Sequence, residues 1–582
     1  MKRILVLDGD MGSSLAIVRS LGSQGWKVDV ASPVEHGVAS YSRFVANTMI
    51  YPNPLASEAA FLSWVETLLA RGAYALIIPV TERTVVPLMK IRHQEGGDKL
   101  ALASNKALET VLDKNLTTEM AKTLNIPLPA SLTLTSQEDL QQFIAKGGLK
   151  DVSSTGPLVI KPGRSIGSNK EGRRKLEVQY AFNLEEAQNK IDALLNFGDV
   201  IVQEYFQGQG VGVELLASNG EIQYAFQHLR VHELPLTGGA SCLRVSMKLE
   251  DALYEAAQKL IRALQWTGVA MVEFKWNPES RKFVLVEING RFWGSLPLAV
   301  AAGADFPGML AELLVDGKIQ PRKPYKENFY ARNLSTDLQW YELVLRRHLP
   351  EKFHGIWEDK RRLWIDALRI FTFKHAFDIQ SLRDPAPGFK DLLRIARNYR
   401  RRVQDILHQR QQFRFHKAFW DSGAAQKRIR DAKKITFICY GNINRSALSE
   451  RYFKKIYPDS NIEVVSAGFH PNSGRSADPV MIQEAQAVDI NMENWSSRQV
   501  TEEMLRTSDV IFVMEDSHWE RIHKEFPNYV GKTYLLGFAA KNIPPKGEIE
   551  DPYGKPRKIY QKCITEVCLS IDAVKDVLRA SR

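Results

Sequence analysis

The 582-residue chain has only four cysteines, Cys242, Cys439, Cys563 and Cys568, too few and too scattered for a disulfide scaffold, and no two sit at zinc-ligand spacing. This usage fits a reducing cytoplasm. No stretch approaches the ~20 consecutive apolar residues that a spanning helix requires. The opening MKRILVLDGD lacks the longer apolar run and small-residue cleavage site of a signal peptide. Secretion and membrane spanning are therefore not expected, while contact with a membrane surface stays open. No G-x-x-x-x-G-K-S/T loop occurs, and residues 208–213 (GQGVGV) are not a G-x-G-x-x-G fingerprint, so any ATP is bound by other means. Internal repeats and low-complexity segments are also missing.

With 44% hydrophobic residues at this length, one core cannot serve the whole chain, and several domains of ordinary size are expected. The formal net charge of +11 gathers between about Arg346 and Lys434, and no nucleic-acid partner is expected. Residues 4–8 (ILVLD) are an apolar run followed by Gly9, Gly12, Ser13 and Ser14, then a helical pattern in LAIVRSLGSQG and a strand pattern in KVDVAS. That is the order of an open α/β sheet. A further strand, ALIIPVTE, ends at Thr81 and Glu82, the end at which such sheets bind ligands. Residues 157–290 are different in character: PLVIKP, DVIVQEYF, VGVELLAS, VAMVEF and FVLVEIN are strand patterns joined by Gly-rich or helical pieces, an α+β layout. Residues 333–432 show no strand pattern, and their Trp, Phe, Leu and clustered Lys/Arg predict a mainly helical connector. With KKITFICYGN a new α/β unit begins, ~150 residues long, a normal domain size.

The segment ITFICYGNINRSALSERYF places an apolar strand before Cys439, Tyr440, Gly441, Asn442, Ile443, Asn444, Arg445 and Ser446, with a helical pattern directly after. A loop between a strand and a helix N-terminus turns backbone N–H groups inward and, with the helix dipole, forms an anion cradle. The same positive field favours the thiolate of a cysteine at its base, which is the nucleophilic form. The planar fork of Arg445 can grip two phosphoryl oxygens, where lysine would offer a point charge. Ser446 can donate a hydrogen bond to the sulfur as it leaves. A buried structural cysteine before a helix is the alternative that C-x5-R alone leaves open.

The longer string resembles the low-molecular-weight protein tyrosine phosphatase family, whose loop reads C-x-G-N-x-x-R-S, and every fixed position matches. The resemblance covers 434–582 and recurs in VVSAG at 464–468, ADP at 477–479, SSRQV at 496–500, VIFVMEDSH at 510–518 and DPYGK at 551–555. It implies a flavodoxin-like α/β domain with a four-stranded parallel sheet. It also implies hydrolysis of a phosphotyrosine protein or other phosphomonoester through a phosphocysteine, without a cofactor. By the same resemblance Asp551 is the general acid for the leaving phenol and then the base for water, and Tyr553 lines the substrate slot, stacking on a phenyl ring. Without Cys439, the Asp551-Pro552 pair would read as a surface turn. Many relatives carry a second loop cysteine that protects the nucleophile as a disulfide, but Asn444 stands there and removes that route. Ile443 matches the tyrosine-directed members, where a threonine would resemble the arginine-phosphate ones. Arsenate reductases of this fold need redox cysteines midway along the domain; Cys563 and Cys568 lie near its end, where packing is their expected role.

The second constellation lies in VAMVEFKWNPESRKFVLVEINGRFWGS. Pairing its two strand patterns as a hairpin sets Glu273 opposite Glu287 on one face, with Asn289 two residues on. Facing carboxylates repel unless a cation joins them, so the set predicts a Mg2+ site, against the alternative of solvated acids on an exposed hairpin. Residues 1–320 resemble ATP-grasp enzymes of the carbamoyl-phosphate-synthase-like and biotin-carboxylase-like branch, whose metal hairpin ends in E-x-N-x-R, matched by Glu287, Asn289 and Arg291. In that family's order, Asp113 and Lys114 open a helix at the start of the ATP-grasp region. Lys161 in LVIKP matches the strand lysine that meets ATP phosphates, and Ser165, Gly167 and Ser168 match the mobile loop over them. Gln203, Glu204 and Tyr205 lie at the adenine and ribose edge. Glu214 follows in VGVELL, and LPLTGGAS, between His232 and Arg244, resembles a substrate-side loop. The resemblance implies ATP and Mg2+, small-molecule carboxylate and amine substrates, and an acyl phosphate made from ATP and captured by the amine. Mg2+, Lys161 and Arg291 would carry the charge.

Together these readings give a multidomain α/β chain. A pre-ATP-grasp α/β domain is expected at 1–108, an ATP-grasp α+β domain at 109–325, a basic, aromatic, mainly helical connector at 326–432 and a phosphatase domain at 433–582. The connector reads either as a grip on a membrane face, an anionic polymer or the two catalytic domains, or as helices whose Trp and Phe pack into the preceding domain. The expected function is that of a bifunctional ligase and phosphatase. The alternative is a regulator with an active phosphatase and an ATP-grasp domain that only binds ATP.

Overall fold

Unbroken isoleucine, leucine and valine at 4–6 are what a strand covered on both faces requires. In the computed structural model Arg3–Val6 is such a strand, its three apolar residues fully buried. The structure describes residues 2–148, 157–164, 166–169, 172–236, 238–346, 360–540, 542, 544 and 547–580. Arg3–Val6 lies between Lys27–Ser32 and Leu76–Ile78, with Val45–Ile50 outermost, and all four strands run parallel. The strand order reverses between Arg3–Val6 and Leu76–Ile78, so the crevice at their carboxyl ends is where ligands enter such a sheet. Thr81 caps and Glu82 begins the helix Glu82–Leu88 at that edge.

An antiparallel sheet and a larger, mixed one follow. The smaller, ordered Ser131–Leu134, Val200–Gln203, Leu158–Pro162 and Gln179–Ala181, pairs Lys161 with Ile201 and ends its second strand on Gln203. The larger has seven strands, in the order Phe283–Asn289, Gly268–Trp276, Gln209–Ser218, Glu221–Leu234, Ala240–Met247, Tyr330–Arg332 and His375–Phe377. Its first two strands place Glu273 directly across from Glu287. Its last two pair in parallel, and His375–Phe377 lies inside the stretch expected to be helical. Three residues are too few to display a period of two, and this strand exists only because a sheet edge is there to receive it.

The chain divides into two compact units, 1–396 and 397–582, and the stretch expected as a connector is shared between them. The division falls inside Pro385–Asp421, a helix of 37 residues. In the first unit Asp378 pairs with the buried Arg244. Asp384 accepts from Arg19 Nε at 2.9 Å, Ser42 Oγ at 2.8 Å and the Arg43 N–H at 2.9 Å. Trp340 is buried there, stacked on His232 with ring centroids 3.5 Å apart. Trp420 is buried in the core of the second unit instead, and Trp364, Phe371 and Phe373 are exposed. The aromatic side chains of this stretch therefore do not all pack into the domain before it.

The second unit is built on a parallel sheet ordered Glu463–Gly468, Lys434–Cys439, Val510–Val513 and Thr533–Leu535. Its order reverses beside Lys434–Cys439, so that strand and Val510–Val513 both deliver their carboxyl ends to one crevice. The helices Arg445–Ile456 and Arg557–Arg579 pack against each other in this unit.

Candidate active sites

Lys434–Cys439 ends on the cysteine, and the next helix starts at Arg445, so the loop between them occupies the crevice of the parallel sheet. Cys439 is buried, with its Sγ 3.0 Å from Ser446 Oγ and 3.2 Å from the Asn442 backbone N. The Asn442 N–H donates to the sulfur, and the Ser446 hydroxyl lies within hydrogen-bond distance of it. Asn442 holds the loop in shape. Its backbone is left-handed, φ +52°, a conformation asparagine tolerates better than most residues. Its Nδ2 donates to Ser446 Oγ at 2.9 Å and Ser466 Oγ at 2.8 Å, and its Oδ1 accepts from the Arg498 N–H at 2.8 Å. Its carbonyl accepts from Trp495 Nε1 at 2.7 Å. Ser466 in turn donates to the buried Glu450 at 2.9 Å, which also pairs with Arg498. Gly468, the end of VVSAG, has to be glycine, because a Cβ there would lie 2.6 Å from Tyr440 O and 2.8 Å from Asn442 N.

Arg445 is buried and already aimed. Its Nη1 donates to Glu515 Oε1 at 2.6 Å and Ile549 O at 2.9 Å, and its Nη2 lies 2.7 Å from Asp551 Oδ2. Burial alone would lower its pKa, but Cys439, Glu515 and Asp551 outweigh burial and raise it. Asp551 is partly exposed, and Tyr440 and Tyr553 stand exposed. Asn444 Nδ2 donates to Asp478 Oδ2 at 3.4 Å, and the same oxygen accepts from Tyr560 OH at 2.7 Å. His518 is pushed down to about 3, by burial first and by Arg445 second. Burial raises the thiols of Cys563 and Cys568, the latter to about 12, as suits side chains that pack.

In the first unit Lys114, Lys161, Gln203, Glu287, Asn289 and Arg291 line one cleft, together with Glu82. Lys114 begins the helix Lys114–Thr123, and its N–H donates to Gly163 O at 3.1 Å, tying that helix to the end of the strand carrying Lys161. Asn289 Nδ2 donates to Glu273 Oε1 at 3.0 Å and Glu287 Oε1 at 3.2 Å, which leaves its Oδ1 as the acceptor end. Arg230 reaches Glu273 Oε2 at 2.6 Å, and Arg291 Nη2 donates to Glu82 Oε1 at 3.3 Å. Burial pushes the Glu273 carboxyl up, with Arg230 opposing and Glu287 adding to the rise. Burial also acts to raise Glu287, but Lys114, Lys161 and Arg291 prevail and hold it below the usual carboxylate range. Burial lowers Lys161 to about 8, against the pull of Glu287. An ionised carboxylate, a second carboxyl and an amide oxygen so close together are a hard-oxygen donor set that suits Mg2+.

Among the described residues lining the cleft, Gln203 is present and Glu204 and Tyr205 are not. Glu204 follows the strand end and donates its N–H to Ala130 O at 2.9 Å. Gly167 is buried in Ile166–Asn169, which also carries Ser168, and Ser165 lies outside the described residues. Glu214 faces His228 at 2.5 Å with both side chains fully buried; burial raises the acid and lowers the base. Sequence reasoning missed Arg230, Glu515 and His518. For Glu515 a signal existed: Ile438 pairs with Val513 across the sheet, so residues just past Val513 share the crevice with Cys439.

Residues 434–580 match the family model for low molecular weight phosphotyrosine protein phosphatase, and residues 196–336 match one described as ATP-grasp in the biosynthetic pathway with Ter operon. The low molecular weight protein-tyrosine-phosphatase Wzb of Salmonella typhimurium is 34% identical over 132 residues, spanning 23% of this chain and 85% of the relative. Among solved structures, the Erwinia amylovora tyrosine phosphatase amsI is 31% identical, with 26% of this chain and 95% of that chain covered and a TM-score of 0.23. N5-carboxyaminoimidazole synthetase from Staphylococcus aureus aligns with 60% of this chain and 86% of its own at 15% identity and a TM-score of 0.45.

Proposed function

We propose that this chain, which belongs through residues 434–580 to the low-molecular-weight protein-tyrosine-phosphatase family and joins that domain to an ATP-grasp domain, hydrolyses phosphomonoesters at Cys439 and ligates a carboxylate to an amine with ATP. The first activity is supported by Cys439 Sγ lying within hydrogen-bond distance of Ser446 Oγ and the Asn442 N–H, with Arg445, at the start of the same helix, paired to Asp551. Sγ attacks phosphorus while Arg445 grips two phosphoryl oxygens, the P–O bond breaks, and Asp551 gives its proton to the departing oxygen. Water then attacks the phosphocysteine and passes its proton to Asp551, the P–S bond breaks, and Ser446 donates to the departing thiolate. The exposed rings of Tyr440 and Tyr553 favour an aryl ester such as phosphotyrosine.

The second activity is supported by Lys161, Glu287, Asn289 and Arg291 lining a single cleft. The substrate carboxylate attacks the γ-phosphorus of ATP and ADP departs; the amine then attacks the acyl carbon and inorganic phosphate departs. Lys161 and Arg291 balance the phosphoryl charge and hold the reactants in place. Mg2+ held by Glu287, Asn289 and Glu273 supplies further neutralisation of phosphate oxygens when bound.

The full chain is expected to hydrolyse para-nitrophenyl phosphate and to lose this in Cys439→Ser; turnover persisting in that variant overturns the phosphatase assignment. A screen of carboxylates against amines for ADP release is expected to find a pair whose reaction stops in Lys161→Ala and Glu287→Ala. Tight Mg-ATP binding with no ADP release from any pair would leave the first unit a purely regulatory role.

A further inference from the structure

A helix on a protein surface ordinarily turns its apolar side inward and its charged side outward. Lys360–Leu368 does the reverse among its described side chains. Its buried side chain is Asp366, while Trp364, Ile365 and Leu368 are exposed, Trp364 to 72%. The chain continues through Arg369–Phe371 with Phe371 at 79% and Phe373 at 104% exposure. Residues 364, 368 and 371 recur at the spacing of one helix face, so these side chains form a single strip.

What fastens this segment is polar. Arg332 Nη2 donates to Asp366 O, Arg369 Nε donates to Asp366 Oδ1 at 3.0 Å, and His232 Nε2 lies 3.5 Å from Asp366 Oδ2. Tyr341 OH donates to Leu363 O at 3.1 Å. At the far end the Tyr330 N–H donates to Lys374 O at 2.8 Å, where His375–Phe377 joins the seven-stranded sheet. The outward aromatic and aliphatic groups have no share in these attachments and are presented on a fixed base. The same residues, 360–374, carry Lys360, Arg361, Arg362, Arg369 and Lys374 against one acid, Asp366, which is buried and paired with Arg369.

We propose that residues 360–374 dock this protein on an anionic membrane surface. Trp364, Leu368, Phe371 and Phe373 enter the boundary between headgroups and acyl chains, and the net positive charge of the segment draws it to lipid phosphates. A second copy of the chain would set this cationic strip against another of the same sign, whereas an anionic bilayer offers the opposite charge at the depth where apolar rings are buried. The attachment is peripheral, since the segment is far shorter than a spanning helix.

The full chain is spun down with vesicles of phosphatidylcholine alone and of phosphatidylcholine containing phosphatidylglycerol. Strong binding is expected only to the second, falling more than about tenfold in the double variant Phe371→Ser, Phe373→Ser and falling as salt is raised. Lys374→Glu weakens it as well. These side chains are exposed, so unchanged thermal unfolding of both variants is expected and shows that they fold. Absent binding, or equal binding to both compositions, overturns the proposal. So do two other results: retention on heparin without retention on vesicles, which assigns the strip to a soluble polyanion, and concentration-dependent dimers that the double variant abolishes without any vesicle binding, which assigns it to a second copy.

Discussion

Replacing Asn442 tests whether the phosphate loop is held by one side chain. Its amide makes three hydrogen bonds, to Ser446 and Ser466, both buried, and from the Arg498 N–H, partly buried. At ~1 kcal/mol net for each, Asn442→Gly is expected to cost about 3 kcal/mol. Alanine loses the same bonds and must also hold a left-handed backbone, which adds about 1 kcal/mol. For a unit of this size each kcal/mol shifts Tm by ~2–4 °C, so the transition of the second unit falls by about 6–12 °C in the glycine variant and further in the alanine one. Catalysis suffers separately, because Ser446 is no longer oriented on the sulfur. A hydrogen bond to a charged group contributes ~1.5–3 kcal/mol, so kcat for para-nitrophenyl phosphate falls about 10–100-fold with KM nearly unchanged. Calorimetry of both variants and their steady-state kinetics are the assays. Equal destabilisation by glycine and alanine would refute the strain argument, and kcat within twofold of the parent would refute the coupling of Asn442 to Ser446.

Asp551→Asn keeps the shape of the site but removes its proton donor, and kcat is expected to fall ~10²-fold or more, checked on aryl phosphates with progressively poorer leaving groups, where the loss grows. Because Lys161 is lowered to about 8, its charge is lost as pH rises through that value; kcat/KM for ATP in ADP release should decline there, and Lys161→Arg should move the decline upward. His518, lowered to about 3 in the fold from an ordinary ~6.5, binds its proton first in the unfolded chain. The second unit therefore loses stability as pH falls from ~6.5 towards 3, and denaturant midpoints at neutral and acid pH should lie closer together in His518→Phe. Glu287→Gln removes an ionised ligand and should raise the Mg2+ concentration needed for ADP release more than about tenfold, read by metal titration.

Legibility in the sequence followed locality. Cys439, Arg445 and Ser446 are close neighbours in the chain, so the strand, the loop and the helix start could be read in one line, and the loop chemistry with them. The Glu273 and Glu287 hairpin was legible for the same reason, since a short turn fixes its register. Glu82 was legible as the end of a strand, whereas Arg230 reaches Glu273 from a strand position whose nearness depends on sheet order, and no linear pattern marks it. Glu204 and Tyr205 share a segment with Gln203, but the strand Val200–Gln203 ends before them, and of the three only Gln203 lines the cleft. The region after 325 was read by composition as one connector, yet pairing by three-residue strands and by Asp378 and Asp384 binds its first part to the first unit.

Those two aspartates also fix where this protein can be divided. A fragment ending at 325 would strip Arg244 of Asp378, and Arg19, Ser42 and Arg43 of Asp384. Breaking a buried ion pair by removing one partner costs ~3–5 kcal/mol, a large part of a domain's whole stability. The ligase half is therefore not a module that stops where its motifs stop. A fusion or recombination that keeps it foldable has its junction beyond Asp384, and the smallest autonomous fragment is longer than its catalytic signature by the tail that neutralises it.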